Sequence, residues 1–420
     1  MEGENKIPSI RFKGFNNDWE QCKLDGIADV RDGTHDSPQY FSQGHPFITS
    51  KNVGGGYINY DDVQYISDSA FEEINKRSKV DTNDILMGMI GTIGNMALVR
   101  EKPNFAIKNV ALIKDTKAVY YIYLYHYLHS SSVMKQLNNG MDGGTQKFIA
   151  LNKIRDLAIS VPSDKEQRVV GDFMESIDNL ITLHQSKLQK LINTKKAMVE
   201  KMFPQNGSNV PEIRFKGFTD SWEQRKFCET FTSLKNNSLS RAELNYEQGT
   251  VKNIHYGDVL IKFSEVLNVE KEEIPYISNE DFAAGSAALL QNGDIIIADA
   301  AEDETVGKCS EITGEEGIQI VSGLHTIPCR PITKFASGYL GYYMNSNAYH
   351  DQLLPLIQGT KISSISKSAL QDTNIFYPDQ EEQKRIGSFL LNLDNLITLH
   401  QHKLEKLQNV KKACLQKMFV

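Results

Sequence analysis

Two stretches of this 420-residue chain are duplicated, and the longer one indicates the fold. It reads Asp178-Asn179-Leu180-Ile181-Thr182-Leu183-His184-Gln185, and it returns unchanged at positions 394–401. The shorter one, Ile10-Arg11-Phe12-Lys13-Gly14-Phe15, recurs at positions 213–218, and a Trp-Glu-Gln triplet soon follows each copy. The order is short motif, variable block and long segment, and then the same three again. Two large copies predict a pseudo-twofold molecule, because a solenoid would need more copies of shorter period.

The long segments predict two long helices. Around the octapeptide, similarity extends over residues 162–203 and 378–419, where apolar residues recur at steps of three and four. Ser163 with Glu166, and Asp379 with Glu382, have the spacing of a helix-starting capping box. A helix of about 38 residues is about 55–60 Å long. Its apolar stripe must be buried, which predicts an antiparallel coiled coil of the two segments.

The residues expected at this helix–helix interface, or at an interface with a partner protein, are Phe173, Ile177, Leu180, Ile181, His184, Leu188, Phe389, Leu393, Leu396, Ile397, His400 and Leu404. The two histidines could form a metal or pH-sensing site, but partnered core histidines are the favoured interpretation. No metal site is predicted.

The variable blocks predict mixed folds. Residues 20–160 and 223–377 are rich in Gly, Asn, Asp and β-branched residues, with strand-like runs at 46–49, 257–260 and 293–297 and helical runs at 120–137 and 336–354. The fold class expected is α+β, with two strand-rich cores joined by the two helices. The predicted domains are 1–160 (motif and first block), 161–210 (first long helix and linker), 211–377 (motif and second block) and 378–420 (second long helix).

Composition excludes several classes of protein. No apolar run reaches 18 residues, and the N-terminus lacks the apolar segment of a signal peptide, which favours a cytoplasmic protein without a membrane span. The five cysteines are far apart and form no C-x-x-C pair. The amino-methyltransferase motif Asn/Asp-Pro-Pro-aromatic and the phosphate-binding P-loop are absent from the sequence. The acidic run Glu302-Asp303-Glu304 fits a solvated loop better than a metal site. We therefore predict a chain without a catalytic site or cofactor of its own.

The duplicated order of variable block and long helix, with the Ile-Arg-Phe-Lys-Gly-Phe opening and the Pro…Glu-Gln helix entries, resembles the specificity (S) subunit of type I restriction-modification enzymes over the whole chain. The resemblance implies that each block is a target recognition domain for one half of a split site in double-stranded DNA. The helices would set the gap between the half-sites. Two methyltransferase (M) subunits and the restriction (R) subunits would be partners, and these would bind S-adenosylmethionine, ATP and Mg²⁺.

Loop residues that can hydrogen-bond to base edges are the natural candidates for DNA contact. They are Thr34, His35, Lys51, Asn52, Thr92, Thr145, Gln146 and Lys147 in the first block, and Lys262, Ser264, Lys308, Thr360, Lys361 and Ser363 in the second.

The net charge of −7 conflicts with a self-sufficient DNA binder. Residues 15–160 carry 15 basic and 17 acidic side chains, and residues 218–377 carry 12 and 22. Since phosphate neutralisation normally dominates affinity for DNA, we expect the M subunits to supply much of it and the isolated chain to bind DNA weakly. Three alternatives stay open: an S-like subunit of a stand-alone DNA methyltransferase, a coiled-coil scaffold whose lobes bind proteins, and, third, a hydrolase whose active site has no recognisable sequence motif.

Overall fold

The chain forms two compact units. The computed structural model describes residues 7–143, 147–205, 207–279, 287–314, 317–359 and 361–420. Met1–Gln185 with His402–Val420 makes up the first unit, and Ser186–Gln401 makes up the second. Because both boundaries fall inside the long helices, each of these helices contributes residues to both units. Within the described ranges, no helix is both long and apolar enough to cross a membrane.

The elements of the first unit are short, apart from one helix. The strands are β1 (Glu20–Lys23), β2 (Asp29–Asp32), β3 (His45–Thr49), β4 (Val53–Gly54), β5 (Tyr57–Ile58), β6 (Gln64–Ile66), β7 (Ile85–Gly88), β8 (Met96–Leu98), β9 (Ala106–Lys108), β10 (Val110–Lys114) and β11 (Ala158–Val161). The helices are α1 (Leu24–Ile27), α2 (Asp68–Ser78), α3 (Tyr121–Leu128), α4 (Ser131–Asn139), α5 (Leu151–Arg155) and the 38-residue α6 (Asp164–Lys201), with a 3-10 turn at Ser50–Asn52.

Two sheets make up the strand-rich core of the first unit. One has the order β2-β10-β7-β8 and is antiparallel, and the other has the order β6-β3-β9. Strand β3 runs parallel to β9, with Phe47 opposite Ala106. All four residues of β7 are buried, as expected for an apolar strand covered on both faces. Strand β1 pairs with β11, which brings the two ends of the block together where α6 begins.

The second unit follows a similar plan. Its strands are β12 (Glu223–Lys226), β13 (Phe231–Ser233), β14 (Leu244–Asn245), β15 (Lys252–Ile254), β16 (Val266–Asn268), β17 (Tyr276–Ile277), β18 (Ile295–Ala298), β19 (Ala300–Ala301), β20 (Cys309–Thr313), β21 (Ile320–Ser322), β22 (Thr326–Pro331), β23 (Ser363–Ser364) and β24 (Asn374–Tyr377). Its helices are α7 (Phe227–Thr230), α8 (Tyr256–Ile261), α9 (Tyr339–Met344), α10 (Asn347–Leu353), α11 (Lys367–Leu370) and the 38-residue α12 (Gln380–Lys417), with 3-10 turns at Arg241–Glu243 and Leu354–Leu356.

The sheets of the second unit match those of the first around one inner strand. The main sheet has the order β13-β22-β18-β20-β16, and a second sheet has the order β14-β17-β15-β21. Strand β22 lies between β13 and β18, as β10 lies between β2 and β7. Strand β15 runs parallel to β21, as β3 does to β9. The mixed α and β fold predicted from the sequence is confirmed.

Three local predictions were wrong. Residues 257–260 belong to the helix α8 and not to a strand, because the His255 side chain accepts a hydrogen bond from Gly257 N and starts a helical turn. The helix predicted at 120–137 is two helices, since Ser130 caps a new helix. The segment 336–354 likewise divides into α9 and α10. The strands predicted at 46–49 and 293–297 are present as β3 and β18.

The duplicated hexapeptide is bound to the start of a long helix by a buried ion pair. Arg11 Nε and Nη2 donate to the two carboxylate oxygens of Glu166 at 2.6 and 2.8 Å. In the second unit, Arg214 makes the same two bonds to Glu382 at 2.7 and 2.8 Å. The predicted capping boxes therefore need correction: the glutamates hold an arginine. Asp379 does act as a cap, because its carboxylate accepts from the backbone N–H of Glu382.

The same hexapeptide also contacts the end of the other long helix. Ile10 N donates to the carbonyl of Lys417, the last residue of α12, at 2.9 Å. Ile213 N donates to Lys201, the last residue of α6, also at 2.9 Å. Each hexapeptide thus joins the first turn of one long helix to the last turn of the other. The residues that follow these helix ends, Met418 with Phe419 and Met202 with Phe203, lie in the hydrophobic cores of the first and second units respectively.

The two long helices contact each other within each unit through the aspartate of the duplicated octapeptide. In the first unit, Asp178 Oδ1 of α6 lies 2.6 Å from Lys411 Nζ of α12. In the second unit, Asp394 Oδ1 of α12 lies 2.7 Å from Lys195 Nζ of α6. In both units, therefore, a residue from the first half of one long helix meets a residue from the second half of the other.

The apolar stripe of the long helices is less buried than predicted. Ile177 and Leu393 are buried, and Leu180 and Leu396 are exposed by 44% and 43%. Phe173 and Phe389 pack edge-to-face against Phe12 and Phe215 of the hexapeptides. The half-buried members are Phe173, Ile181, His184, Leu188, Phe389, Ile397, His400 and Leu404. Leu180 and Leu396 do not fit a buried stripe, and they remain candidates only for the interface with a partner.

We expect Arg11→Met to lower the free energy of unfolding by about 3–5 kcal/mol, because it leaves the buried Glu166 carboxylate without its partner. Urea denaturation followed by circular dichroism measures the change. The matched control is Arg225→Met, since Arg225 pairs with Glu223 at the surface and such pairs contribute about 0–1 kcal/mol. Equal losses in the two variants would contradict the role given to Arg11.

Candidate nucleic-acid interface

A left-handed residue lies between two strands of the first unit. Asn109 separates β9 from β10 and has a φ of +52°. Its N–H donates to the carbonyl of Thr34 at 3.2 Å, and its own carbonyl accepts from Ser50 Oγ at 2.7 Å. Asparagine tolerates this backbone conformation better than most residues do. These bonds hold the Asn109 side chain at the junction of the two sheets.

A chain of polar contacts continues from Asn109. The ring of His35, whose side chain is largely exposed, places Nδ1 2.7 Å from Asn109 Oδ1 and Nε2 3.0 Å from Asp32 Oδ2. The other oxygen of Asp32 pairs with Arg77. Thr92 Oγ1 donates to the Ser50 carbonyl at 2.7 Å. We call Asp32, Thr34, His35, Ser50, Thr92 and Asn109 the first polar cluster.

The backbone at this cluster is closely packed. A Cβ atom on Gly33 would lie 2.5 Å from the Ile107 carbonyl oxygen, far inside van der Waals contact. Gly33 N donates to Val110 O, and Thr34 N donates to Ile107 O. Only a glycine lets β2 approach both β9 and β10 in this way. The position of Thr34 and His35 therefore depends on Gly33.

The second unit has a left-handed residue in the equivalent place. His325 directly precedes β22 and has a φ of +54°. Its carbonyl accepts from Asp299 N at 3.0 Å, and its Nδ1 lies 3.2 Å from Asp299 Oδ1. The Tyr256 ring packs edge-on against the His325 ring, and His255 packs against Tyr256. We call His255, Tyr256, Asp299 and His325 the second polar cluster.

Burial changes the charge balance of the second cluster. It raises the pKa of the Asp299 carboxyl above its ordinary value, although the nearby His325 acts in the opposite direction. It lowers the pKa of His255, with a further contribution from the Arg241 guanidinium. Both shifts favour the neutral form of the group.

Most of the predicted residues of the first block lie at or beside the first polar cluster. Thr34, His35 and Thr92 belong to it, and Lys51 follows Ser50 directly, exposed and paired with Asp62. Lys147 is exposed, and its carbonyl accepts from Gly91 N next to Thr92. Thr145 and Gln146 lie outside the described residues.

Asn52 is a correction among the predicted DNA contacts. Its side chain is buried, its amide oxygen accepts from Thr49, and its amide nitrogen donates to the carbonyls of Asn59 and Asp62. All of its strong hydrogen-bonding positions face the protein, so Asn52 shapes the turn and does not present itself to a ligand.

The predicted residues of the second block do not form one surface. Lys308 Nζ donates to the Leu260 carbonyl, burial lowers its pKa, and Ser264 Oγ donates to Val266 O. Lys308 shares a cavity of about 570 Å³ with the carboxylates Glu265, Asp303 and Glu304. The carboxylates of this lining repel phosphate, which makes Lys308 a poor DNA contact.

The other predicted residues of the second block are distributed as follows. Lys262 donates to the Glu273 carbonyl. Lys361 is exposed, and Ser363 begins β23, which pairs with β19 directly after Asp299. Thr360 lies outside the described residues. Of the predicted set, Lys361 and Ser363 therefore remain the better candidates.

Sequence reasoning missed Asn109, Ser50, Asp299 and His325. For Asn109 a signal was present, because an asparagine between the apolar runs Ala106-Ile107 and Val110-Ala111 is typical of a tight turn. For His325 and Asp299 no local pattern was available, since they meet only through the pairing of β18 with β22. The exposed members His35, Thr92 and His325 and the half-buried Asn109 and Asp299 offer imidazole, hydroxyl, amide and carboxyl groups, as direct recognition of polar edges requires.

Comparison with known proteins shows a common family for both units. A sequence model described as "Type I restriction modification DNA specificity domain" matches residues 16–193 and 220–409. The chain is 22% identical over 424 residues to the putative type I restriction enzyme MjaX specificity subunit of Methanocaldococcus jannaschii, covering 95% of this chain and 92% of that protein. It is also 22% identical over 413 residues to the type I restriction enzyme MjaVIII specificity subunit of the same organism, covering 95% and 91%.

Solved structures show a similar fold. The S subunit of a type I restriction-modification system from M. genitalium matches with a TM-score of 0.56 at 13% identity, covering 99% of both chains. A chain from a structure of the type I R-M system matches with a TM-score of 0.52 at 17% identity, covering 96% of this chain and 97% of that one.

We expect Gly33→Ala to lower the free energy of unfolding by about 1–3 kcal/mol, because the added methyl group meets the Ile107 carbonyl. Gly26→Ala is the control, since a Cβ there meets nothing within 4 Å. Thermal unfolding of the two variants tests the difference. A Gly33→Ala protein as stable as the control would refute the close approach at this cluster.

Proposed function

We infer the function from the family to which this chain belongs, the type I restriction-modification DNA specificity subunits: each unit reads one half of a split DNA site and directs partner subunits to it. The observation that carries this inference is the repetition of one structural frame around two different polar clusters. Two copies of the frame suit two half-sites. Two sets of side chains suit two different sequences, since base edges are distinguished by their donors and acceptors.

We propose that the chain carries no catalytic site. The relatives are named specificity subunits, and the buried carboxylates that bind arginine, Glu166 and Glu382, already have structural partners. S-adenosylmethionine, ATP and Mg²⁺ would then bind the methyltransferase and restriction subunits. In a cytoplasmic complex of this kind, this chain would supply recognition and its partners would supply chemistry.

The long helices would act as an antiparallel coiled coil that sets the spacing between the half-sites. The ion pairs Asp178–Lys411 and Lys195–Asp394 support this pairing from both units. The duplicated octapeptide contributes the aspartate of each pair, so a single sequence element specifies the same contact twice. On this view the predicted domains 1–160 and 211–377 recognise DNA, and the predicted domains 161–210 and 378–420 set the spacing between the half-sites.

The exposed leucines of the octapeptide fit a docking surface for two methyltransferase subunits. Leu180 and Leu183 are exposed by 44% and 46%, and Leu396 and Leu399 by 43% and 45%. Because the same pair is exposed in both copies, one partner surface could bind twice. The acidic second block supports a division of labour in which these partners also supply phosphate contacts.

The scaffold alternative draws its support from the same acidic charge, with 22 acidic against 12 basic residues between 218 and 377. A stand-alone methyltransferase subunit would share all the features above and differ only in lacking a restriction partner. The first of the two experiments below separates the scaffold from a DNA reader.

Replacing residues 223–377 by the corresponding block of another specificity subunit should change one half of the methylated site and leave the other half intact. Single-molecule methylome sequencing measures this in cells that express the chain with its cognate methyltransferase subunit. Exchange of residues 20–160 is the matched control and should change only the other half. Methylation that is the same with and without this chain would favour the scaffold.

Leu180→Ser with Leu183→Ser should weaken binding of the methyltransferase subunit about tenfold or more, because buried apolar side chains dominate such interfaces. Isothermal titration calorimetry gives the dissociation constant. Ile261→Ser is the control, since Ile261 is 89% exposed on α8 of the second block and lies outside the octapeptides. An unchanged constant in the double variant would exclude this docking surface.

A further inference from the structure

Two residues other than glycine adopt the left-handed backbone conformation at equivalent positions of the two units. Among the described residues, Asn83, Asn109, Lys117 and His325 have positive φ. Asn109 directly precedes β10, and His325 directly precedes β22. Each of these strands is an inner strand of its sheet, second from one edge, and the strand before the left-handed residue pairs in parallel with another strand in both units.

The carbonyl of each residue is linked to the N–H of the residue that follows the neighbouring strand, through a serine hydroxyl in the first unit and directly in the second. The carbonyl of Asn109 accepts from Ser50 Oγ, and this hydroxyl also lies 3.2 Å from the N–H of Met89, the residue after β7. The carbonyl of His325 accepts directly from the N–H of Asp299, the residue after β18. Strand β7 neighbours β10 as β18 neighbours β22. The two positions therefore correspond in topology, and a hydroxyl bridge in the first unit takes the place of the direct bond in the second.

What differs between the two positions is the side chain. Asn109 presents an amide, whose Oδ1 lies 2.7 Å from His35 Nδ1, and the other ring nitrogen of His35 lies 3.0 Å from Asp32 Oδ2. His325 presents an imidazole, which Asp299 contacts at 3.2 Å. A glycine would adopt either backbone conformation without strain. Strained residues held by surrounding bonds are typical of functional positions.

We propose that Asn109 and His325 are the central base-reading residues of the two units, each recognising one base pair of its half-site. This rests on the proposed function and assigns the reading to particular side chains. The amide of Asn109 has the donor and acceptor pattern that matches adenine N6 and N7 in the major groove. The imidazole of His325, half exposed and oriented by Asp299, matches a purine edge through its other ring nitrogen.

The test uses the full-length chain with its methyltransferase subunit and reads the methylated motif by single-molecule sequencing. Asn109→Gly removes the side chain and relieves the backbone strain, so the protein should unfold at the same temperature or higher. The expected result is a loss of discrimination of about tenfold or more at one base position of one half-site. His325→Gly should do the same in the other half-site only.

Asn83→Gly is the matched control, because Asn83 is also left-handed, with a φ of +75°, and lies in the turn before β7. It should leave the motif unchanged. Asn109→Asp is a second variant that keeps the size of the side chain and replaces donors by acceptors, so it should shift the preference at the same base position. This variant tests the proposal even where the glycine variant is poorly folded.

The proposal is overturned when Asn109→Gly and Asn109→Asp methylate the wild-type motif with unchanged stringency, or when both half-sites relax together. Failure of the proposed function gives a different result, because the wild-type chain would then direct no split motif at all.

Discussion

The buried pair of arginine and glutamate that binds each hexapeptide to a long helix is the interaction on which the two units depend. Arg11 is linked to the first turn of α6, and Ile10 next to it is bonded to the last turn of α12. The second copy repeats both contacts with the helices exchanged. An ion pair of this kind is costly to break, since the carboxylate left alone is buried without compensation. The hexapeptide therefore fixes where two helices that are distant in sequence meet.

These contacts explain why the hexapeptide and the octapeptide are the stretches that are duplicated. The hexapeptide supplies the arginine and a phenylalanine that packs on the helix, and the octapeptide supplies the aspartate that pairs the helices. Each of these residues has a partner in a part of the chain that is repeated as well. The variable blocks face no such constraint beyond their sheet frame, so the side chains at the polar clusters are free to differ.

Several basic side chains of the acidic second block are already bound by other groups of the protein. Lys308, a predicted DNA contact, donates to a backbone carbonyl beside Glu265, Asp303 and Glu304. Arg241 and Arg330 are bound by the buried carboxylates of Asp258 and Asp294. Basic side chains that hold the fold together in this way have little capacity left for phosphate. A DNA-recognition subunit with so few free basic side chains fits a complex in which recognition and phosphate binding belong to different subunits.

The sequence by itself determined the repeat, the two long helices, the mixed α and β blocks and the loops around Thr34, Lys51 and Thr92, because hydrophobic period and turn residues act locally. It did not determine that Glu166 binds Arg11, that Asn52 is buried or that Leu180 is exposed, since each depends on a neighbour more than a turn away. Only the tertiary structure decided which residues form the polar clusters. Asn109 meets His35 and His325 meets Asp299 through strand pairing, and pairing between distant strands leaves no mark in a local stretch of sequence.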